Sequence, residues 1–204
     1  MIIKKIPAGV YAANCYIVMD EETGETAVID PGGDFDELNK VINELGSKVK
    51  YILLTHGHVD HTGAVKDFLQ KYNVPLCVNK RDWDLMVSRE FMFGDVNFLG
   101  KDFEYIEAKD GKKLNLGKEI IECIETPGHT PGGMSFLTQN HLFTGDTLFL
   151  NSIGRTDLAG GNYAILINNI RTKLFELNLD TIVYPGHGPN STIDREKKHN
   201  PFLQ

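Results

Sequence analysis

The most constraining feature of the sequence is the segment HGHVDH at residues 56–61, which follows the apolar run YILL at 51–54. It places three imidazoles and a carboxylate close together. A packed core would not accept them without partners, because each buried unpaired polar group costs about 2–7 kcal/mol. Imidazole nitrogens and carboxylate oxygens bind zinc or iron well, and ligands two residues apart can converge on one ion while their neighbours face another. The segment therefore predicts a metal-binding turn between a strand and a helix.

Three further polar residues, His129, Asp146 and His187, each follow a glycine at the end of a predicted strand. Glycine fits positions where the backbone bends sharply or comes near a bound group, so we predict that one kind of turn recurs at all three. His141 and His199 lack this context, and we interpret them as surface residues. The candidate ligands are therefore His56, His58, Asp60, His61, His129, Asp146 and His187.

The remaining pattern predicts an α/β protein in one domain spanning residues 1–204. Apolar runs predict strands at 2–6, 15–19, 26–29, 51–54, 76–78, 103–106, 119–126, 134–137, 142–144 and 181–184. Helical spacing predicts helices at 34–45, 64–72, 81–87, 163–177 and 191–198, with Asp34 as the N-cap of the first. Two β-rich halves, each accompanied by helices, fit two packed sheets with helices outside and with the chemistry at strand ends.

Composition excludes some classes of partner. The formal net charge of −7 and the absence of a dense Lys/Arg run argue against nucleic-acid binding. No stretch approaches the ~18 apolar residues of a membrane span, and the first residues lack a cleavable apolar segment, so we expect a cytoplasmic protein that acts on a small molecule. Cys15, Cys77 and Cys123 are odd in number and widely spaced, which predicts reduced core thiols. The sequence does not indicate an oligomeric state.

The segment at 56–61, together with His129, Asp146 and His187, resembles the signature of the metallo-β-lactamase superfamily over nearly the whole chain. The resemblance implies the metallo-β-lactamase fold, a four-layer αβ/βα sandwich. It also implies that His56, His58 and His129 hold one metal ion, that Asp60, His61 and His187 hold a second, and that Asp146 bridges the two.

Within that superfamily, the segment NSIGRTD at 151–157 and the ending PGHGP with a later NPF resemble the short bacterial glyoxalase II-like enzymes, which are similar to hydroxyacylglutathione hydrolases. The longer glyoxalase II enzymes carry a helical C-terminal extension that grips glutathione, whereas the present sequence ends at Gln204, so the resemblance does not extend to that segment. β-Lactamases of this fold usually have cysteine in place of Asp146, and flavodiiron proteins have glutamate in place of His58. Both subfamilies are therefore disfavoured.

The leading hypothesis is hydrolysis of a thioester such as S-lactoylglutathione by a metal-activated hydroxide, with two divalent ions as cofactors. We expect zinc, with iron or manganese as the other candidates, because His and Asp ligands accept all three. Asp60 is the candidate catalytic residue, because it can bind a metal with one oxygen and orient the hydroxide with the other. Arg155 either forms an ion pair with Asp157 beneath the site or contacts a substrate carboxylate.

Two other functions stay open. The segment GRTD at 154–157 is similar to one in persulfide dioxygenases, which implies a single Fe(II) held by His56, His129 and Asp146 and oxidation of glutathione persulfide. Metal stoichiometry separates that function from hydrolysis. A non-catalytic or nucleic-acid-binding relative is disfavoured by the complete ligand set and the acidic charge.

Several neighbouring residues carry weaker expectations. Thr55 and Thr62 flank the metal-binding turn and are predicted to be strand-end and helix-capping residues. A second group could line a pocket, namely Asn14, Tyr16, Phe93 and Phe149. Core packing is the better account of its three aromatic members.

Overall fold

The computed structural model describes residues 1–99 and 104–204, and its strands form two six-stranded sheets. The first sheet contains, in spatial order, β1 (Ile2–Ala8), β2 (Ala13–Met19), β3 (Glu25–Ile29), β4 (Lys48–Leu53), β5 (Leu76–Val78) and β6 (Tyr105–Glu107). Its first three strands are antiparallel, and β3 to β6 are parallel. The predicted strand at 103–106 is observed from Tyr105 onward, and Phe103 lies outside the described residues.

The second sheet has the spatial order β14-β13-β10-β9-β8-β7. Its strands are β7 (Lys113–Leu116), β8 (Glu119–Glu125), β9 (Met134–Thr138), β10 (His141–Gly145), β13 (Ile182–Pro185) and β14 (Ser191–Thr192). Only β10 and β13 pair in parallel among the described strands of this sheet. A separate hairpin joins β11 (Leu148–Phe149) to β12 (Ser152–Ile153).

Except for the short helix at 59–62, the helices pack against the outer faces of the two sheets. They are α1 (Phe35–Glu44), α2 (Val59–Thr62), α3 (Val65–Tyr72), α4 (Lys80–Val87), α5 (Tyr163–Thr172), a 3-10 turn at Leu174–Glu176, and α6 (Ile193–His199). No helix within residues 1–99 and 104–204 combines the length and apolarity needed to cross a membrane.

Three buried clusters hold these layers together. The central cluster joins the facing sides of the two sheets, with Tyr16 and Ile29 from the first and Phe136 and Phe143 from the second. A second cluster packs α1 and α3 onto the first sheet, and a third packs α5 and α6 onto the second. The order helix, sheet, sheet, helix confirms the four-layer αβ/βα sandwich.

Some predicted elements differ in detail. Asp34 is the N-cap residue of α1, as predicted, and its carbonyl oxygen accepts a hydrogen bond from Leu38 N at 3.1 Å. Its side chain does not cap the helix, because the residue has a left-handed backbone and Oδ2 accepts a hydrogen bond from Gly9 N instead. The helix predicted at 163–177 ends at Thr172, and the buried 3-10 turn continues its apolar spacing. The helix predicted from Ser191 begins at Ile193, because Ser191 and Thr192 pair with β13. The three cysteines are buried and unpaired, as expected.

Candidate metal centre

The seven candidate ligands lie in loops and one short helix that follow strands of both sheets. His56 and His58 follow β4, and α2 carries Asp60 and His61. The other three residues come from the second sheet. His129 lies between β8 and β9, Asp146 follows β10, and His187 follows β13. The sandwich therefore brings together side chains from four separate parts of the chain.

The first group consists of His56, His58 and His129, which are all buried. Each offers one ligand atom, and these atoms lie within 4.8 Å of one another. His58 Nδ1 and His129 Nε2 are 3.0 Å apart. Three imidazoles in this arrangement match the donor set of a zinc site that keeps a position open for water or substrate.

The second group consists of Asp60, His61 and His187, whose ligand atoms also lie within 4.8 Å of one another. Asp60 Oδ2 is 3.2 Å from His187 Nε2 and 3.7 Å from His61 Nε2. The ligand atoms of Asp30, His56 and His61 also lie within 4.8 Å of one another. Because Asp30 already accepts three short hydrogen bonds, described below, we assign it a supporting role.

Asp146 contacts both groups. Its Oδ1 lies 3.5 Å from His61 Nε2, and its Oδ2 lies 3.6 Å from His129 Nε2 and 3.7 Å from His187 Nε2. A carboxylate in this position can share its two oxygens between neighbouring cations.

Several of these atoms are buried without any hydrogen-bond partner among the described residues, including His56 Nε2, His61 Nε2 and Asp146 Oδ1. Buried polar atoms are rarely left unpaired in native proteins, and such an exception calls for a bound ion or water. Because the unpaired atoms are those of good metal ligands and face one another, the residues fit a metal centre.

The lowered pKa values of His56 and His58 in the first group favour the neutral, ligating form. Burial, with the neighbouring imidazoles of His61 and His129, lowers the pKa of His56 well below its usual value. Burial is also the main cause that lowers the pKa of His58 to about 4. Neutral imidazole is the form that binds a metal ion.

For Asp146 and for the histidines of the second group, neighbouring charges and hydrogen bonds outweigh the effect of burial on the pKa. Burial opposes ionisation of Asp146, but His61, His129 and His187 outweigh it and lower the pKa of Asp146 to about 2. Burial likewise opposes the charged form of His61, but Asp146 and Asp30 outweigh it and raise the pKa of His61. A hydrogen bond to Asp60 raises the pKa of His187. The raised pKa values favour the protonated forms of His61 and His187 beside the buried carboxylates, and a metal ion would compete with those protons.

Asp30 holds the turn that carries the first ligands, and it was not among the residues predicted from the sequence. It is buried directly after β3, where its Oδ1 accepts a hydrogen bond from Thr55 N at 2.7 Å and its Oδ2 accepts one from Thr55 Oγ1 at 2.6 Å. Asp30 Oδ2 is also 2.9 Å from His61 Nδ1, so His61 can donate there and present Nε2 to a metal. Its strand-end position before Pro31-Gly32 is the signal that could have identified it.

Asp82 was also missed. It is fully buried on α4, where its Oδ2 accepts hydrogen bonds from Gly57 N at 2.9 Å and Thr130 Oγ1 at 2.7 Å, and its Oδ1 accepts one from Gly132 N at 2.6 Å. Burial raises its pKa although these three bonds oppose the shift. Asp82 thereby connects the turn at 56–61 to the loop of His129. No sequence signal marks it, because it lies inside an ordinary amphipathic helix.

The glycines before the later ligands do not share one kind of turn, so that prediction is wrong. Gly128 has φ +135° and Gly145 has φ +48°, whereas Gly186 does not have a positive φ. The space at Gly186 is nevertheless restricted, because an added Cβ would lie 2.3 Å from Asp146 Oδ1. Close approach to a neighbouring group is therefore the reason for glycine at this position.

The residues beside the turns act mainly as supports. Asn14 Nδ2 donates to the carbonyl oxygens of Pro185 and Gly188, at 2.9 and 3.0 Å, and Tyr16 OH donates to Pro185 O at 2.6 Å, so β2 fixes the loop of His187. Tyr16 belongs to the central core, as expected for an aromatic.

Other predictions for this region vary in outcome. Phe93 is a core residue whose ring packs edge-on against His58. Thr55 is a strand-end residue, as predicted, whereas Thr62 ends α2 and donates to His58 O rather than capping a helix start. His199 is exposed, and His141 is half-buried with its Nδ1 3.0 Å from Tyr184 OH.

The two groups open into a cavity of about 370 Å³. Its lining residues are Tyr11, His58, Asp60, Met92, His129, Asp146, Arg155, Leu158 and His187. Arg155 donates to both oxygens of Asp157 at 2.7 Å, but this ion pair is exposed at the cavity rim and does not lie beneath the site. The Arg155 carbonyl oxygen lies 2.7 Å from His129 Nδ1.

Comparisons with known proteins give a consistent family relationship. The model of the metallo-beta-lactamase superfamily matches residues 8–187, a span that includes all seven candidate ligands. The hydroxyacylglutathione hydrolase GloC of Haemophilus influenzae is 39% identical over 100% of this chain and 98% of its own length.

Solved structures show the same similarity. The B3 metallo-beta-lactamase BLEG-1 has a TM-score of 0.89 and 34% identity, with 100% of each chain covered. TTHA1623, in a di-iron-bound form, has a TM-score of 0.84 and 30% identity over 98% of this chain and 100% of its own. ETHE1 from Myxococcus xanthus has a TM-score of 0.83 and 28% identity over 98% of this chain and 84% of its own.

Proposed function

Because the chain belongs to the metallo-β-lactamase superfamily, we propose that it is a single-domain, two-metal hydrolase that cleaves thioesters such as S-lactoylglutathione. The observation that carries the two-metal proposal is the position of Asp146, whose oxygens lie 3.5 Å from His61 Nε2 and 3.6 Å from His129 Nε2. The similarity to GloC supports the thioester as substrate, and the similarity to the di-iron form of TTHA1623 supports two ions.

In this proposal His56, His58 and His129 hold one ion, Asp60, His61 and His187 hold the other, and Asp146 bridges them. Two divalent ions, when bound, make a water nucleophilic near neutral pH and polarise the carbonyl of the substrate. Zinc is the proposed metal, and iron and manganese are its competitors, because metal availability decides among them as much as affinity does.

Asp60 has a second role in the proposed reaction. Its Oδ2 lies 3.2 Å from His187 Nε2, within the second group of ligands. The other carboxylate oxygen can then accept a hydrogen bond from the attacking water and orient that water toward the substrate carbonyl. A thiolate leaves readily, so the proposal requires no strong general acid.

Arg155 is the proposed contact for a substrate carboxylate at the cavity rim. We expect Arg155→Gln to raise KM for S-lactoylglutathione about tenfold with little change in kcat, because a hydrogen bond to a charged group contributes ~1.5–3 kcal/mol. A thioester without carboxylates, such as S-acetyl-N-acetylcysteamine, should be cleaved by the variant as well as by the wild type.

The matched control is Arg171→Gln, which removes a different exposed arginine, one that lies on α5. Steady-state kinetics on both substrates decide the outcome. Equal losses on the charged and the neutral thioester would assign Arg155 a purely structural role.

A persulfide dioxygenase is the second candidate, favoured by the similarity to ETHE1 and by the GRTD segment at 154–157. It would use one iron held by His56, His129 and Asp146. The similarity to the B3 metallo-beta-lactamase BLEG-1 is the reason to test a β-lactam as substrate as well.

The deciding experiment is metal analysis of the purified protein, combined with assays on S-lactoylglutathione, a simple thioester, a lactone, a chromogenic cephalosporin and glutathione persulfide with oxygen monitored. We expect two metal ions per chain and thiol release from the thioesters without oxygen uptake. One iron per chain with oxygen consumption would mean that the protein is a dioxygenase and not a hydrolase. Turnover of the cephalosporin alone would mean that its substrate is a β-lactam and not a thioester.

A further inference from the structure

Two segments overlap the parts of the sequence that resemble the glyoxalase II-like enzymes, at 151–157 and in the ending NPF, and apart from Arg155 their residues have no role in the proposed reaction. The first is the β11–β12 hairpin with the residues that follow it, at 148–155, and the second is α6 with the ending Asn200-Pro201-Phe202. They are distant in sequence, but they contact each other through a buried polar network.

Glu196 is the centre of this network. It has no exposed surface, and its Oε2 accepts hydrogen bonds from Asn151 N at 2.9 Å and from Asn200 Nδ2 at 2.8 Å. Ser191 Oγ donates to Oε1. Asn200 Nδ2 also donates to Ser152 O at 3.0 Å. We call Glu196 and Asn200, with the backbone of Asn151 and Ser152 that they bind, the C-terminal clasp.

A buried carboxylate is costly unless donors surround it, so it is an expensive way to attach a helix. Apolar contacts already attach this part of the chain, because Ile193 and Leu203 pack in the core beside α5. The polar contacts add a directional constraint, because they fix where the backbone of the hairpin turn lies.

The hairpin leads directly to two candidate ligands. Gly154 follows β12 and packs so closely on the loop of Asp146 that an added Cβ would lie 1.7 Å from Asp146 O. The next residue, Arg155, places its carbonyl oxygen 2.7 Å from His129 Nδ1. When Nδ1 donates to that carbonyl, the tautomer of His129 is set and Nε2 carries the lone pair that binds a metal.

We propose that the C-terminal clasp is a positioning device for the metal site, in which Glu196 and Asn200 hold the hairpin so that the Arg155 carbonyl orients His129. Glu196 and Asn200 are positioning residues and do not touch the substrate. The inference rests on the proposed metal assignment, but not on the identity of the substrate, because metal binding can be measured without turnover.

The test compares Glu196→Gln with the wild type. The substitution keeps the shape of the side chain but replaces a carboxylate by an amide, whose oxygen accepts more weakly from Asn151 N and Asn200 Nδ2, while its nitrogen donates to Ser191 Oγ, which can accept as well as donate. The matched control is Asp194→Asn on the same helix, which removes a carboxylate that pairs with Lys198 at the surface. Zn²⁺ affinities are measured by competition with a chromophoric chelator, the Co²⁺ form is examined by absorption spectroscopy, and thermal unfolding of the metal-free proteins reports folding.

We expect Glu196→Gln to weaken the Zn²⁺ site that contains His129 about tenfold or more, the range found for residues that orient metal ligands. The Co²⁺ absorption bands should change as well. The other site and the Asp194→Asn control should stay within about twofold of the wild type, a margin below the range expected for such partners. A lower melting temperature with wild-type affinities and spectrum, or equal weakening of both sites, would overturn the proposal.

Asn200→Ala provides the second variant if Glu196→Gln does not fold. It removes the contact with Ser152 O but leaves the hydrogen bond from Asn151 N to Glu196. The same selective loss at one site is expected, to a smaller extent. Unchanged Zn²⁺ affinities in a folded Asn200→Ala protein would contradict the role of the clasp.

Discussion

Asp146→Ala is expected to lower thioester hydrolysis about 10³-fold, the upper range for loss of a single electrostatic group at a reacting centre, and to release bound metal. The effect is large because Asp146 lies within 3.7 Å of histidines from both groups. Without its carboxylate the two groups would lose the ligand that we propose they share, and the buried charge that favours cations would be reduced. Metal analysis and steady-state kinetics on the same preparation measure both consequences.

The control for this variant is Asp36→Ala, which removes an exposed carboxylate in the first turn of α1. It should retain wild-type metal content and rate. If Asp146→Ala kept full metal occupancy and an undiminished rate, Asp146 could not be the bridging ligand, whatever the substrate is.

Asp30→Ala is expected to weaken metal binding by about 10–100-fold and to lower the free energy of unfolding of the metal-free protein by about 3–5 kcal/mol. The substitution leaves three buried donors without their acceptor: Thr55 N, Thr55 Oγ1 and His61 Nδ1. It also removes one of the two carboxylates that raise the pKa of His61, so the fully buried imidazole loses a charged partner.

Chemical denaturation of the metal-free protein and chelator competition test the two effects separately. Asp30→Asn should cost less stability, because one oxygen can still accept from Thr55, yet it should still weaken metal binding. Wild-type metal affinity in a folded Asp30→Ala protein would mean that His61 is oriented by other contacts, and the assigned role of Asp30 would be wrong.

The residues that support the site explain why part of it was missed in the sequence. Asp82 contacts Gly57 at a separation of 25 residues and Gly132 at a separation of 50. A sequence pattern carries information about neighbours within a few turns or strands, so a helical aspartate with such distant partners looks like any solvent-exposed one. Asp30 differs, because its position after a strand and before Pro31-Gly32 was visible in the same way as the positions of the ligands.

Some predicted helix bounds differ from the observed ones because they were predicted from local patterns alone. Apolar spacing continued through Leu174 and Phe175, which indicated one long helix, although the chain changes to a 3-10 turn there. Ser191 and Thr192 carry helix-capping chemistry, and Thr192 does cap α6, but both also pair with β13. In these cases a tertiary contact and a local preference act on the same residues, and the sequence reveals only the second.

The sequence by itself determined the chemistry of the candidate site. The HGHVDH segment, and the glycine-preceded His129, Asp146 and His187, could be recognised because a strand followed by a polar turn is a local pattern. Tertiary structure alone decided how these side chains are grouped. His58 and His129 meet across 71 residues, and Asp60 and His187 meet across 127. Only the packing of the two sheets and the parallel pairing of β10 with β13 bring such positions together, because contacts of this range depend on the whole fold and leave no periodicity in the chain.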